Sequence, residues 1–107
     1  MELHHKRCIP CEGNVPPLAK EEAERYLAEL SGWALSEDGK KISKTFTFAN
    51  FEETMGFVDK IAAVAEEEGH HPDMHVSYNT LTVELTTHAI GGLSENDFIC
   101  AAKIERL

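Results

Sequence analysis

The sequence predicts an α+β domain in which three helices pack on one face of a four-stranded antiparallel sheet. Two observations indicate this fold class. Three stretches show the apolar spacing of amphipathic helices, and the segments between them alternate apolar with polar residues, as β-hairpins do. The elements therefore run in the order α-β-β-α-β-β-α. A chain of 107 residues is long enough to bury one hydrophobic core and too short for two.

Residues 1–17 are predicted to form an N-terminal arm, because they lack periodicity and hold a Cys-x-x-Cys and three of the four prolines. The folded domain is expected over residues 18–107. Its first helix is indicated by a stripe with the spacing i, i+3, i+4 and i+7. The stripe consists of Ala23, Tyr26, Leu27 and Leu30. Gly32 is suited to the C-terminal cap of this helix.

The first hairpin follows, with Asp38-Gly39 as its turn signal. In its second strand, the apolar residues that alternate with serine and threonine are Ile42, Phe46 and Phe48. Lys44 interrupts the apolar face of this strand. We therefore expect the strand to lie partly at an edge of the sheet.

The second helix is predicted from Asn50 to Glu68, with Gly69 at its end. Its apolar side consists of Phe51, Met55, Val58, Ile61 or Ala62, and Ala65. The run Glu66-Glu67-Glu68 places three negative charges at the helix C-terminus, where they oppose the helix dipole. This unfavourable placement suggests that one of the three carboxylates has another role.

The second hairpin is predicted with Asn79 and Thr80 as its two loop residues. In that register the facing pairs are Tyr78 with Leu81, Val76 with Val83, and Met74 with Leu85. The last helix is expected to begin at Ser94. Asp97 stands three residues later, which is the spacing of a capping box.

Composition excludes several classes of function. The net charge is −9, so the chain is expected to be repelled by nucleic acids and by anionic membranes. No apolar run approaches the ~18 residues of a membrane span, and the start of the chain lacks the apolar stretch of a signal peptide. Three cysteines are too few for a disulfide framework, and Cys100 is expected to be a small buried residue. Together these features predict a cytoplasmic protein.

The stretch EEEGHHPDMHVSYNTLTVELTTH holds four of the six histidines. Extending the hairpin register outward sets His71 opposite His88, but Pro72 is expected to end the ladder first, so the prediction is their shared location and not an exact pairing. We therefore expect His70, His71 and His88 to lie together at the open end of the hairpin. Glu66 enters this region from the preceding helix, and Asp97 enters it from the start of the following one.

Two other kinds of chemistry fit the residues less well. His75 alternates to the polar face of the hairpin, so it is predicted to be a surface residue rather than a metal ligand paired with His71. Cys8 and Cys11 have half of a zinc-ribbon spacing, but no second Cys-x-x-Cys follows, so their thiols are interpreted as incidental. No serine or cysteine shows the surroundings of a nucleophile. We expect neither a metal nor a cofactor.

Proton transfer remains as the predicted chemistry. Imidazole ordinarily titrates near pH ~6.5 and can both give and take a proton. Two histidines on opposite sides of a substrate can therefore perform concerted acid/base work, with neighbouring carboxylates orienting the rings.

At these residues the chain resembles the pterin-4a-carbinolamine dehydratases, whose motif has an acidic residue, His-His-Pro, an aromatic residue, a distant His and an Asp. The matching positions are Glu66, His70-His71-Pro72, Tyr78, His88 and Asp97. Further similarity lies in Gly32-Trp33, in FTFANFEETMGFV and in THAIGGLSENDF. The resemblance covers residues 18–107.

The resemblance implies loss of water from 4a-hydroxytetrahydropterin to give quinonoid dihydropterin, in the recycling of tetrahydrobiopterin. It implies His70 and His88 as proton donors and acceptors, and His71 as a group that binds and polarises the pterin. Glu66, Pro72 and Asp97 would support them, and Trp33 would be either core or a wall of the pocket. The resemblance also implies a homodimer or homotetramer.

Two alternatives remain open. The first is a dehydratase-like interaction protein, acting as a transcriptional dimerisation cofactor or as an assembly factor. The second is a zinc-binding protein that uses the His-rich stretch or the N-terminal cysteines.

Overall fold

The computed structural model describes residues 3–8 and 16–107. Within them the chain forms three α-helices and four strands. These are α1 (Lys20–Leu27), β1 (Ala34–Leu35), β2 (Ile42–Thr47), α2 (Phe51–Glu68), β3 (Asp73–Ser77), β4 (Thr80–Leu85) and α3 (Glu95–Glu105). Short 3-10 helices cover Leu3–His5 and His88–Ile90. The predicted α+β class and the order α-β-β-α-β-β-α are confirmed.

The four strands form one antiparallel sheet in the order β1-β2-β4-β3. The two hairpins are thus joined through β2 and β4 at the centre of the sheet. β1 pairs only with Ile42 and Ser43, so the outer edge of β2 from Lys44 onward has no neighbouring strand among the described residues. The expectation that this strand lies partly at an edge is confirmed.

The register predicted for the second hairpin is wrong. Ser77 pairs with Thr80, and the loop residues are Tyr78 and Asn79. Tyr78 takes the left-handed conformation, with φ 49°. Thr80 is β-branched and poorly suited to the positive φ of such a loop, and its hydroxyl instead donates to the Ser77 carbonyl at 3.0 Å.

The shift of register by two residues preserves which face each side chain occupies, because strands have a period of two. Val76 now faces Leu81, and Met74 faces Val83. The ladder ends before His71 and His88, as expected from Pro72, because β3 begins only at Asp73 and β4 ends at Leu85. The two histidines instead flank the open end of the hairpin.

The core lies between the inner face of the sheet and the helices. Its fully buried sheet residues are Ile42, Leu81, Val83 and Leu85. Phe98 of α3 is also fully buried and stacks on Tyr26, with ring centroids 5.1 Å apart. Cys100 is buried in the same core, as predicted. No helix in the described ranges combines the length and apolar character that a membrane crossing requires.

The ends of α2 follow the sequence signals closely. The Asn50 side chain accepts a hydrogen bond from the Glu53 amide at 2.8 Å and caps the helix. Gly69 ends it in the left-handed conformation, with φ 66°. The predicted cap of α1 is wrong, since the helix ends at Leu27 with Ala28 as its cap. Gly32, with φ 79°, instead turns the chain toward β1.

The N-terminal segment packs on the domain. Leu3 is 3% exposed and belongs to the hydrophobic core, and Lys103 of α3 donates to the His4 carbonyl at 3.1 Å. Cys11 lies outside the described residues. The division into an arm of residues 1–17 and a domain of residues 18–107 stays a prediction.

Candidate active site

A cavity of about 550 Å³ lies where the end of α2, the connection from β4 to α3 and the start of α3 meet. This volume is within the ~300–1,000 Å³ typical of small-molecule sites. The lining includes all three histidines expected at this end of the hairpin. Among the lining residues are His70, His71, His88, Glu66, Glu68 and Cys8.

A largely buried contact at the cavity joins His70 to Asp97. His70 Nε2 lies 2.6 Å from Asp97 Oδ1, and the two side chains are 12% and 0% exposed. Because an ionised carboxylate only accepts hydrogen bonds, Nε2 is the nitrogen that carries the proton toward Asp97. The second nitrogen of His70, Nδ1, is therefore left to accept or donate a proton.

Asp97 is held from three directions. Its Oδ2 accepts a hydrogen bond from the Thr87 hydroxyl at 2.8 Å and another from the Ser94 amide at 3.0 Å. The Ser94 contact is the half of the predicted capping box in which Asp97 takes part. The Thr87 hydroxyl also lies 2.8 Å from the Ser94 hydroxyl. A carboxylate at a helix N-terminus is further stabilised by the helix dipole, so Asp97 is a fixed negative group behind His70.

His71 pairs with Glu66 in more open surroundings. His71 Nε2 lies 2.7 Å from Glu66 Oε2, but the two side chains are 62% and 80% exposed. Contacts between such exposed groups contribute little to stability. This pair orients one imidazole at the cavity rim without removing it from solvent.

His88 reaches the cavity from the connection between β4 and α3. The connection is closed by a bridge in which the Thr87 amide donates to the Gly92 carbonyl at 2.8 Å. Gly91 ends the short 3-10 helix in the left-handed conformation, with φ 68°. Within the described ranges the His88 imidazole makes no hydrogen bond. The residue lines the cavity, and no described residue occupies its ring nitrogens.

The structure places the other predicted residues away from the cavity lining. Trp33 is 7% exposed and packs edge-on against Phe46, so it lies in the core. Pro72 is partly buried between His71 and the start of β3. His75 is on the outer face of the sheet, with its side chain 68% exposed, as predicted.

Sequence reasoning missed Glu68 and Cys8. The Glu68 side chain is 1% exposed, and its Oε1 accepts a hydrogen bond from the Cys8 amide at 2.8 Å. Burial, and secondarily the charge of Glu68, raise the pKa of the Cys8 thiol to about 12, so the thiol stays neutral. The signal for Glu68 was the unfavourable acidic run at the end of α2. The unpatterned arm offered no signal for Cys8.

The arrangement can do acid/base chemistry. It combines one buried imidazole fixed by a carboxylate, one exposed imidazole beside a carboxylate, and a third imidazole without a protein partner in the described ranges. Among residues 3–8 and 16–107, no three histidine, cysteine or acidic side chains are grouped as a metal site.

Comparisons with known proteins identify the family to which this chain is similar. The model of the family described as pterin 4 alpha carbinolamine dehydratase matches residues 16–107. A Nitrosomonas eutropha protein, named provisionally as a pterin-4-alpha-carbinolamine dehydratase, is 58% identical over 99% of this chain and 93% of its own length. A Nitrosomonas europaea protein with the same provisional name is 57% identical over the same shares.

Two solved structures share the fold. A Brucella melitensis protein described as a transcriptional coactivator/pterin dehydratase superimposes with TM-score 0.80 at 32% identity, over 84% of this chain and 96% of that one. A pterin dehydratase-like protein, identified as a RuBisCO assembly factor of the alpha-carboxysome, superimposes with TM-score 0.61 at 25% identity. That match covers 70% of this chain and 87% of the other.

Proposed function

The chain belongs to the pterin-4a-carbinolamine dehydratase family, and from this membership we propose that it is a hydro-lyase acting on 4a-hydroxytetrahydropterin. The product is quinonoid dihydropterin, and the reaction serves the recycling of tetrahydrobiopterin. The observation that carries the proposal is the buried His70–Asp97 pair beside His88 at one cavity.

The reaction needs one proton donor and one proton acceptor. The bond between C4a and its hydroxyl oxygen breaks, and the oxygen leaves as water after it receives a proton from the acid. The base removes a proton from a ring N–H, and that electron pair forms the new double bond of the quinonoid product. One proton is supplied and one is taken up, so no oxidant, reductant or metal enters the balance.

His70 and His88 fill the donor and acceptor roles in this proposal. His70 is supported by its contact to Asp97, which holds the ring and stabilises the imidazolium when His70 carries a second proton. His88 is supported by its place in the cavity lining and by its freedom from hydrogen bonds to the described residues.

His71 has the role of binding and polarising the pterin, and Glu66 orients it through the 2.7 Å contact. Pro72 separates the histidine pair from the ladder of β3, because it has no amide to donate. Trp33 contributes through the packing of the core, since it is buried against Phe46.

The test is a dehydration assay on freshly generated 4a-hydroxytetrahydropterin. The rate of product formation with the native protein is compared with the spontaneous rate at the same pH. Acceleration proportional to protein concentration supports the assignment. A rate equal to the spontaneous rate would contradict the assignment as a dehydratase.

A second candidate is an interaction role in transcription or in assembly of a carbon-fixing enzyme. It is supported by the descriptions of the two solved relatives, one a transcriptional coactivator/pterin dehydratase and one an assembly factor. The complete set of cavity histidines favours the enzyme. If the folded protein did not accelerate the dehydration, the interaction role would be the better-supported function.

The proposal also includes a cytoplasmic homodimer or homotetramer. Light scattering on the native protein measures this directly, because the monomer mass is 11.9 kDa. A monomer at micromolar concentration would contradict the oligomer.

A further inference from the structure

Residues 3–8 are part of the N-terminal arm predicted over residues 1–17. These six residues, here called the arm, run from the hydrophobic core to the cavity. Leu3 is 3% exposed and packs in the core beside α3. Five residues later, Cys8 lines the same cavity as His70 and His88. The arm precedes residue 16, where the match to the family model begins.

Two sets of contacts fix the end of the arm to the two helices that meet at the cavity. The Cys8 amide donates to Glu68 Oε1 at 2.8 Å, which joins the arm to the end of α2. The Cys8 thiol lies 3.6 Å from the Asn96 carbonyl, which joins it to the start of α3. Cys8 therefore bridges α2, which ends two residues before His70, and α3, which carries Asp97.

Glu68 is suited to be the anchor of the arm. Its side chain is 1% exposed, and a buried carboxylate is stable only where charge or hydrogen bonds compensate it. Lys103 Nζ lies 3.7 Å from Glu68 Oε2 and also donates to the His4 carbonyl at 3.1 Å. The compensation for this buried charge thus comes from the arm and from a lysine that itself holds the arm.

We propose that the arm forms one wall of the pterin site and that Cys8 is a specificity-determining residue of that wall, anchored by Glu68. This inference rests on the proposed dehydratase function. Cys8 presents a small, uncharged side chain to the cavity. Because its backbone is hydrogen-bonded to Glu68, the wall resists displacement by a larger group, and the space beside Cys8 limits which pterins fit.

The test measures the Kd of an oxidised pterin, biopterin, by its fluorescence, for the native protein and two variants at Cys8. Cys8→Ser keeps a small hydroxyl that can donate to the Asn96 carbonyl, so its Kd is expected within about twofold of the native value. Cys8→Phe fills the cavity side of the wall and is expected to raise the Kd at least ~10-fold. A folded Cys8→Phe protein with the native Kd would contradict the proposal that Cys8 forms part of the wall of the pterin site. Failure of the native protein to bind biopterin would contradict the pterin wall, whereas the proposed function is decided separately by the dehydration assay.

A second measurement uses the unmodified protein and needs no bulky variant. Trypsin cuts after Arg7, next to Cys8, and saturating biopterin is expected to slow this cut at least ~5-fold relative to the cut after Arg25 on α1. Glu68→Ala removes the anchor and is expected to speed the Arg7 cut, whereas Asp59→Ala on the exposed side of α2 leaves it unchanged. If the protein binds biopterin and the rate of cleavage after Arg7 is the same with and without it, the proposal that the arm forms a wall of the pterin site is contradicted.

Discussion

His70 Nε2 lies 2.6 Å from Asp97 Oδ1, and this contact joins the segment just after α2 to the first turn of α3. Asp97 is fully buried and has two further donors, so its position is set by the fold rather than by the histidine. The contact occupies Nε2 of His70, so in the proposed reaction Nδ1 is the nitrogen that exchanges a proton.

Replacing Asp97 by asparagine tests the role of the buried charge. Asp97→Asn keeps the size of the side chain but removes the charge that stabilises an imidazolium at His70. We expect kcat for dehydration to fall roughly 10²-fold while KM changes by less than about threefold. Steady-state kinetics on 4a-hydroxytetrahydropterin measure both constants.

Thr87→Val is the matched control for that variant. It removes one hydrogen bond to Asp97 but leaves the carboxylate and the His70 contact in place. The expected fall in kcat is less than ~10-fold, with a loss of about 1 kcal/mol in the free energy of unfolding. If Thr87→Val lowered kcat as much as Asp97→Asn, the effect would belong to packing and not to charge.

Glu66→Gln tests the exposed pair at the cavity rim. His71 and Glu66 are 62% and 80% exposed, so their contact is screened by water. We expect the free energy of unfolding to change by less than ~1 kcal/mol. Urea denaturation measures the change, and a loss above ~2 kcal/mol would show that the pair holds the fold and does more than orient His71.

The buried thiol of Cys100 predicts a loss of stability at alkaline pH. Burial raises the pKa of Cys100 from its ordinary 9.0 to about 12. The protonated Cys100 thiol makes its full contribution to the free energy of unfolding below the pKa that this thiol has in the unfolded chain. The contribution is lost as the pH rises from 9.0 toward about 12, because the thiol ionises first in the unfolded state.

The corresponding measurement compares the native protein with Cys100→Ala under reducing conditions. Between pH ~9 and pH ~10, the free energy of unfolding of the native protein should fall more steeply, by up to ~1.4 kcal/mol per pH unit. Parallel pH dependences would contradict the assignment of the loss to this thiol.

The parts of the fold that could be predicted are those set by local chemistry. Asn50 and Gly69 mark the ends of α2 because one caps through its side chain and the other accepts a positive φ. The meeting of His70, His71 and His88 followed from their places at the open end of one hairpin. That conclusion survived a wrong register because the end of a hairpin is the same for both registers.

The remaining parts depend on contacts that no local pattern encodes. The hairpin loop falls on Tyr78 and Asn79 because Thr80 enters the ladder, a choice between two similar turns. Cys8 and Glu68 are 60 residues apart, and the arm has no periodicity that would have predicted their contact. Trp33 lies in the core, where it packs against Phe46. Its position after Gly32 in the sequence does not distinguish a core residue from a wall of the pocket.

The most direct test of the central claim is the dehydration rate of three histidine variants measured side by side. His70→Ala and His88→Ala remove the groups proposed to exchange protons, whereas His75→Ala removes an exposed histidine on the outer face of the sheet. We expect the first two variants to lose at least ~10²-fold in kcat and the third to stay within about twofold of the native protein. Native rates in both His70→Ala and His88→Ala would contradict the acid/base account.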